Sequence, residues 1–158
     1  MTDVSKILQA YAFAHKAHNG QKRWDGSEYI NHPQSVVEIL QNWGIEDENI
    51  LCAGMLHDVV EDTKITLEEI DAGFGSKVAG YVRELTNPSH SQHYLEKIAF
   101  MSKGATIIKM ADLIHNLSDM KGDKRTLPKK EEAFIKRMKA LHILSGRMIE
   151  FDTTKKSK

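Results

Sequence analysis

Residues 50–62, Ile50-Leu51-Cys52-Ala53-Gly54-Met55-Leu56-His57-Asp58-Val59-Val60-Glu61-Asp62, run from an unbroken apolar segment straight into a histidine and three acids. The apolar half reads as a helix buried on most sides, with Asp47 placed to cap it. Carboxylates buried against such a segment cost several kcal/mol each unless a cation or hydrogen bonds offset the loss. A divalent ion supplies that offset. Neighbouring His and Asp residues on a helix point about 100° apart, so both reach one ion only near a helix end or in a groove between helices. Further ligands must then come from elsewhere in the chain.

Outward from this stretch, apolar residues recur at three- and four-residue steps, as in Ile7, Ala10, Tyr11 and Ala14, and no long alternating pattern is present. The fold class is therefore all-α, a bundle of about eight helices with the metal site between them. A first helix is expected from Val4 to His18, stopped by Asn19-Gly20, and a second from Pro33 to Trp43-Gly44. Thr66 with Glu69 forms a capping-box signature, and a further helix spans Ser76 to Leu85. Residues 91–102 are expected to be helical, with Gly104 as a break before a helix starting at Ala105. The last helix passes through Pro128 to about Glu150. One domain covers residues 1–151, followed by a polar, lysine-rich tail, 152–158, expected to fray.

The 158 residues suit a single core, and 22 basic against 22 acidic side chains leave a formal net charge of zero. These totals give no support for nucleic-acid or membrane partners. The one cysteine, Cys52, cannot form an intramolecular disulfide, which points to a reducing, cytoplasmic setting. No stretch has the length of a signal peptide or a membrane span. A homo-oligomer is open, because the long last helix offers an amphipathic face.

Two more residues suit the ion demanded by residues 57–62. His32 precedes a helix-starting proline, and Asp112 lies in the apolar window Ile107-Ile108-Lys109-Met110-Ala111, where an unpaired carboxylate is expensive. Two imidazoles with two carboxylates match neither a closed structural zinc site nor an all-oxygen calcium site. The set suits a catalytic ion such as Mn²⁺ or Fe²⁺.

The combination of His32, His57-Asp58 and Asp112 resembles the HD superfamily of metal-dependent phosphohydrolases. Within it, AHNGQKRWDGSEYINHP (17–33), LHDVVEDT (56–63) and KMADLIHNL (109–117) are similar to three motifs of the RelA/SpoT-type small alarmone hydrolases. The resemblance implies Mn²⁺ held by His32, His57, Asp58 and Asp112, with Glu61 and Asp62 as the acid/base pair. It implies a small-molecule nucleotide substrate, (p)ppGpp, losing its 3′-diphosphate to give GDP or GTP. It also places Arg23 against the guanine base and Asn116 on the nucleotide. The chain departs from the pattern at Trp24, where many relatives have a second basic residue, and at Ile114 and Ser118, where many have arginine. Phosphate recognition is thus the least family-like feature, and it leaves two alternatives open. One is an HD enzyme for another phosphorylated nucleotide, such as NADPH or a nucleoside monophosphate. The other is a non-catalytic nucleotide-binding module, against which the retained acids argue.

Overall fold

A computed structural model describes residues 4–87 and 93–156, and the described residues are helical with only an isolated antiparallel bridge, Lys22 to Glu28. The helices are α1 (Lys6–Ala17), α2 (Asn31–Asn42), α3 (Glu48–Leu56), α4 (Val59–Asp62), α5 (Leu67–Phe74), α6 (Ser76–Leu85), α7 (Tyr94–Ile98), α8 (Lys103–Ser118) and α9 (Leu127–Lys156). A 3₁₀ turn, Asp119–Gly122, follows α8. The all-α expectation holds.

α3 is the hub. Leu51 through Leu56 are all buried, and the helix packs on α1, α2, α6 and α8. A helix apolar on every side is stable only in the centre of a bundle, and fully burying each large aliphatic side chain contributes about 1.5–3 kcal/mol. Gly54 lets α2 approach closely: a Cβ there would meet Leu40 Cδ1 at 2.9 Å. That approach sets His32 of α2 beside His57 at the end of α3. The Asp47 cap forms as read, its carboxylate accepting from Asn49 N and Ile50 N. The Thr66/Glu69 capping box is complete.

Three boundaries differ from the sequence reading. Gly104 does not break a helix but lies in the first turn of α8, because Ser102 caps that helix and is itself held by Glu84 of α6. Glycine is needed there for space, since a Cβ would stand 2.5 Å from the Tyr81 ring. The expected helix over 91–102 is a short one, Tyr94–Ile98, while residues 91 and 92 lie outside those described. α9 runs to Lys156 rather than stopping near Glu150. Of the expected tail, 157 and 158 lie outside the described residues. Among the described residues, no helix is long and apolar enough to cross a membrane.

Candidate active site

Three of the predicted metal ligands, His32, His57 and Asp58, sit at helix ends, and Asp112 comes from within α8. The loop before α2 folds back on itself, Arg23 N donating to Ser27 O at 2.8 Å and Tyr29 N to Gln21 O at 3.0 Å, and so delivers His32 in the first turn of α2. His57 caps the C-terminus of α3, and Asp58 is the joint at which the chain turns into α4. Asp112 projects from the middle of α8, buried at 4% exposure. The geometric demand raised by the His57-Asp58 pair is met, because the site lies at a helix end facing two other helices.

Two imidazole nitrogens and two carboxylate oxygens converge. His32 Nε2 is 2.9 Å from Asp112 Oδ1 and 3.7 Å from Asp58 Oδ2. His57 Nε2 is 3.0 Å from Asp58 Oδ2 and 3.4 Å from Asp112 Oδ1. Adjacent donors on an octahedral ion with bonds of about 2.1 Å stand about 3 Å apart, so the spacing fits one small divalent ion. The hydrogen bonds make the same point. His57 Nδ1 donates to Gly54 O at 2.7 Å, which aims Nε2, buried and without a hydrogen-bond partner, at the carboxylates. A ring nitrogen facing two carboxylates needs a proton or a cation between them. Burial opposes a charge on His57, yet Asp58 and Asp112 draw positive charge so strongly that its pKa is held well above the ordinary range, and a bound divalent ion would take the place of that proton.

Three residues that the sequence reading left without a role support this cage. His115 Nδ1 lies 2.7 Å from His32 Nδ1. If Nε2 holds an ion, Nδ1 carries the proton and His115 is placed to accept it, which would fix the His32 tautomer. Lys109 Nζ donates to Asp112 Oδ2 at 2.7 Å. Burial works against both charges of that pair, but Lys109 holds Asp112 well below the usual carboxylate range and Asp112 holds Lys109 well above its own. Tyr29 Oη donates to Asp58 Oδ2 at 2.5 Å, and burial followed by Asp58 pushes its pKa far up, so it remains a donor. Lys109 and His115 were detectable in the sequence as the i−3 and i+3 neighbours of Asp112, on its face of the helix.

Glu61 and Asp62 gather with Asp58, one carboxylate oxygen of each lying within 4.8 Å of the others. Glu61 lines a cleft and accepts from Asn87 N at 2.6 Å. Asp62 is exposed, with Tyr29 Oη 3.3 Å from its Oδ2. Burial, with Asp58 adding to it, raises the pKa of both. Asn116 donates to Asp112 Oδ1 at 2.9 Å and also lines the cleft. Arg23 stands one layer behind: its Nη2 donates to Asp119 Oδ2 at 2.8 Å and to Asn116 Oδ1 at 3.1 Å, and its guanidinium lies 4.9 Å from the Trp24 ring centre.

The cleft has a volume of about 540 Å³ and runs from Asp58 and Glu61 to the first half of α9. Lys109, Arg125, Lys129, Lys136 and Arg137 line it. Arg125 and Arg137 also stack on Trp24, at 5.4 Å and 5.0 Å. Ile114 and Ser118, the positions where many relatives have arginine, are exposed instead. Cations missing from the third motif are therefore present on the opposite wall, contributed by the loop after α8 and by α9.

Comparison with known proteins places this arrangement. The model of the HD domain matches residues 10–138. A human protein named guanosine-3′,5′-bis(diphosphate) 3′-pyrophosphohydrolase MESH1 is 38% identical over 128 residues, covering 75% of this chain and 72% of its own. The Xenopus tropicalis protein of that name is 39% identical over 129 residues, covering 76% and 72%. A Spiroplasma citri guanosine-3′,5′-bis(diphosphate) 3′-pyrophosphohydrolase is 36% identical over 126 residues, which are 72% of this chain but 17% of that longer one. A solved structure, described as a metazoan SpoT orthologue that hydrolyses ppGpp and plays a role in starvation responses, superposes with a TM-score of 0.85. It is 32% identical, and the match covers 92% of this chain and 89% of that one. An HD domain implies a divalent metal, and His32, His57 and Asp112 form a buried group that could hold one, with Asp58 Oδ2 beside it, 3.7 Å from His32 Nε2 and 3.0 Å from His57 Nε2. From the matched family model and from relatives aligned over most of their length, this chain belongs to the HD-domain family.

Proposed function

We propose that this protein is a guanosine-3′,5′-bis(diphosphate) 3′-pyrophosphohydrolase, removing the 3′-diphosphate of (p)ppGpp to give GDP or GTP and pyrophosphate. The observation that carries the reading is the convergence of two imidazole nitrogens and two carboxylate oxygens at the head of a cleft walled by five cations. His32, His57, Asp58 and Asp112 hold the ion, which we assign as Mn²⁺ from the mixed nitrogen and oxygen donors. When bound, such an ion lowers the pKa of water and polarises a phosphoryl oxygen.

The remaining chemistry belongs to the protein. Glu61, in the cleft and one turn from Asp58, accepts the proton of the attacking water. Asp62, exposed and clustered with Asp58 and Glu61, completes the acid/base pair. The bond between the 3′ oxygen and its phosphorus breaks, the water oxygen ends on pyrophosphate, and the 3′ oxygen gains a proton. Asn116 contacts the nucleotide from within the cleft. Arg23 serves the base end, with Asp119 and Trp24 holding its guanidinium plane. Lys129, Lys136, Arg125 and Arg137 offset the charge of the phosphates. Arg137 Nη1 is buried with no partner, a donor an anion would satisfy.

The test is turnover of ppGpp and of NADPH by the same Mn²⁺-loaded protein. Pyrophosphate release from ppGpp with NADPH untouched is the expected result. Dephosphorylation of NADPH alone would overturn the substrate while leaving the metal site standing.

A further inference from the structure

At position 24 this chain carries an indole ring where many relatives have a basic residue. The turn that holds Trp24 is closed by Arg23 N donating to Ser27 O at 2.8 Å and by Gly26 N donating to Arg23 O at 3.0 Å. Its tip rests on the connector between α8 and α9, where a Cβ on Gly122 would stand 3.1 Å from Asp25 Cβ. Among the described residues, three guanidiniums meet the half-buried ring: Arg23 at 4.9 Å from the turn itself, Arg125 at 5.4 Å from the connector and Arg137 at 5.0 Å from α9. Cations gathered in this way repel one another, and the negative face of an indole offsets part of that repulsion.

The three guanidiniums are not equivalent. Arg23 donates to Asp119 and Asn116, and Arg125 to both carboxylate oxygens of Asp123. Arg137 forms no ion pair among the described residues, and its buried Nη1 has no hydrogen-bond partner. Burial disfavours its charge, and the guanidinium of Arg125 adds to that. A cation so placed gains from an anion brought alongside. Arg125 and Arg137 line the cleft, whereas Trp24 does not. The ring therefore stands behind the wall and acts through the forks mounted on it.

We propose that Trp24 is a positioning residue for phosphate recognition: its ring holds the Arg137 guanidinium toward the cleft, so that the charge many relatives carry at position 24 is supplied from α9. This rests on the reading of the cleft as the seat of a phosphorylated nucleotide. A guanidinium presents parallel N–H donors where an ammonium is a point charge, so the exchange favours an anion with two oxygens in reach, such as a diphosphate. Loss of the ring leaves Arg23 with Asp119 and Arg125 with Asp123, but Arg137 has no ion pair to fall back on. The effect of removing Trp24 accordingly runs through Arg137.

Steady-state kinetics and equilibrium binding of the Mn²⁺-loaded protein test this. Trp24→Leu, which keeps an apolar side chain without a π face, is expected to raise KM for ppGpp about fivefold with kcat and Mn²⁺ affinity unchanged, and Trp24→Phe to recover most of the loss. In an Arg137→Ala background, Trp24→Leu should add nothing, because the route is already cut. Should Trp24→Leu disturb the turn, Arg137→Lys gives the second reading, since it keeps the charge but loses the planar fork and should raise KM in the same way. Affinity for inorganic pyrophosphate, titrated into the same proteins, is expected to follow the same order and reads the wall whatever the nucleotide. Pyrophosphate binding that depends on Trp24 in a protein that leaves ppGpp intact would overturn the proposed function and support the role of Trp24. Wild-type KM and pyrophosphate affinity in Trp24→Leu and Arg137→Lys would overturn that role, as would a Trp24→Leu loss that persists in full in the Arg137→Ala background.

Discussion

The metal cage and the cleft wall opposite it are made of different material. In the cage, His32, His57 and Asp112 are buried, and their polar atoms are committed to one another, to Gly54 O or to Lys109 and His115. In the wall, Arg125, Lys129 and Lys136 are exposed, with Arg125 paired to Asp123 and Lys136 lying over the Tyr94 ring. A buried donor or acceptor left unmatched costs about 1–3 kcal/mol, while a solvated lysine costs almost nothing. The cage is thus tightly constrained by folding itself, and the wall is constrained only by what it must bind. Substitutions on the two sides should fail in different ways.

The largest effect is expected from Glu61→Gln, which keeps the cage but removes the proton acceptor. Its kcat should fall by about 10²–10⁴-fold, with metal affinity retained, as measured by turnover alongside Mn²⁺ titration. Retained turnover would move the acceptor role to Asp62. His115→Ala tests the cage from behind by leaving the His32 Nδ1 proton without an acceptor. Loss of such a supporting contact typically costs 10–100-fold in metal affinity, and titration of the metal-stripped protein would read it. Arg137→Ala and Arg125→Ala test the wall. Each should raise KM for ppGpp by about tenfold, in line with one charge-assisted hydrogen bond of about 1.5–3 kcal/mol, while leaving kcat and metal affinity unchanged. A matching fall in metal affinity would erase the distinction between the two regions.

Metal removal sharpens the same contrast in stability. Stripping the ion removes a ligand that binds only the folded cage, so the melting temperature should drop and recover with added Mn²⁺ by mass action. Arg137→Ala should melt like wild type under either condition, whereas Arg125→Ala also leaves the buried Asp123 without its ion-pair partner and should melt lower whether or not metal is present. The smallest effect is expected far from both regions, at Gly104→Ala. The added Cβ would stand 2.5 Å from the Tyr81 ring and force α8 away from α6. Thermal unfolding should register a loss of about 1–3 kcal/mol with little change in KM.

The same contrast explains what could be read from the sequence. His57-Asp58 following Leu51–Leu56, and Asp112 within an apolar helix, advertise themselves because only a cation makes such burial tolerable. The all-α class and the Asp47 and Thr66 caps were legible for a related reason, since periodicity and capping are local. His115, Lys109 and Tyr29 were not assigned. Lys109 and His115 carried a signal in their spacing from Asp112 that went unused, whereas Tyr29, 29 positions from Asp58, is an ordinary residue until three-dimensional structure brings it to that carboxylate. Nor could the wall be anticipated: Arg125 and Arg137 look like any cations of a charged helix until the loop after α8 turns α9 back over the cleft and stacks both on Trp24. Gly104 misled for a clear physical reason. Glycine reads as a break in sequence, but the close approach of the Tyr81 ring requires it inside a helix.

The most direct test of the central claim, that this cage is the metal centre of a pyrophosphohydrolase, is release of pyrophosphate from ppGpp by metal-stripped protein resupplied with Mn²⁺, compared with Asp58→Asn. Asp58 is the ligand at the joint of α3 and α4, and its amide replacement keeps size while removing charge. The account predicts Mn²⁺-dependent release by the wild type and none above background by Asp58→Asn. Release that proceeds without added metal, or that survives Asp58→Asn, would contradict it.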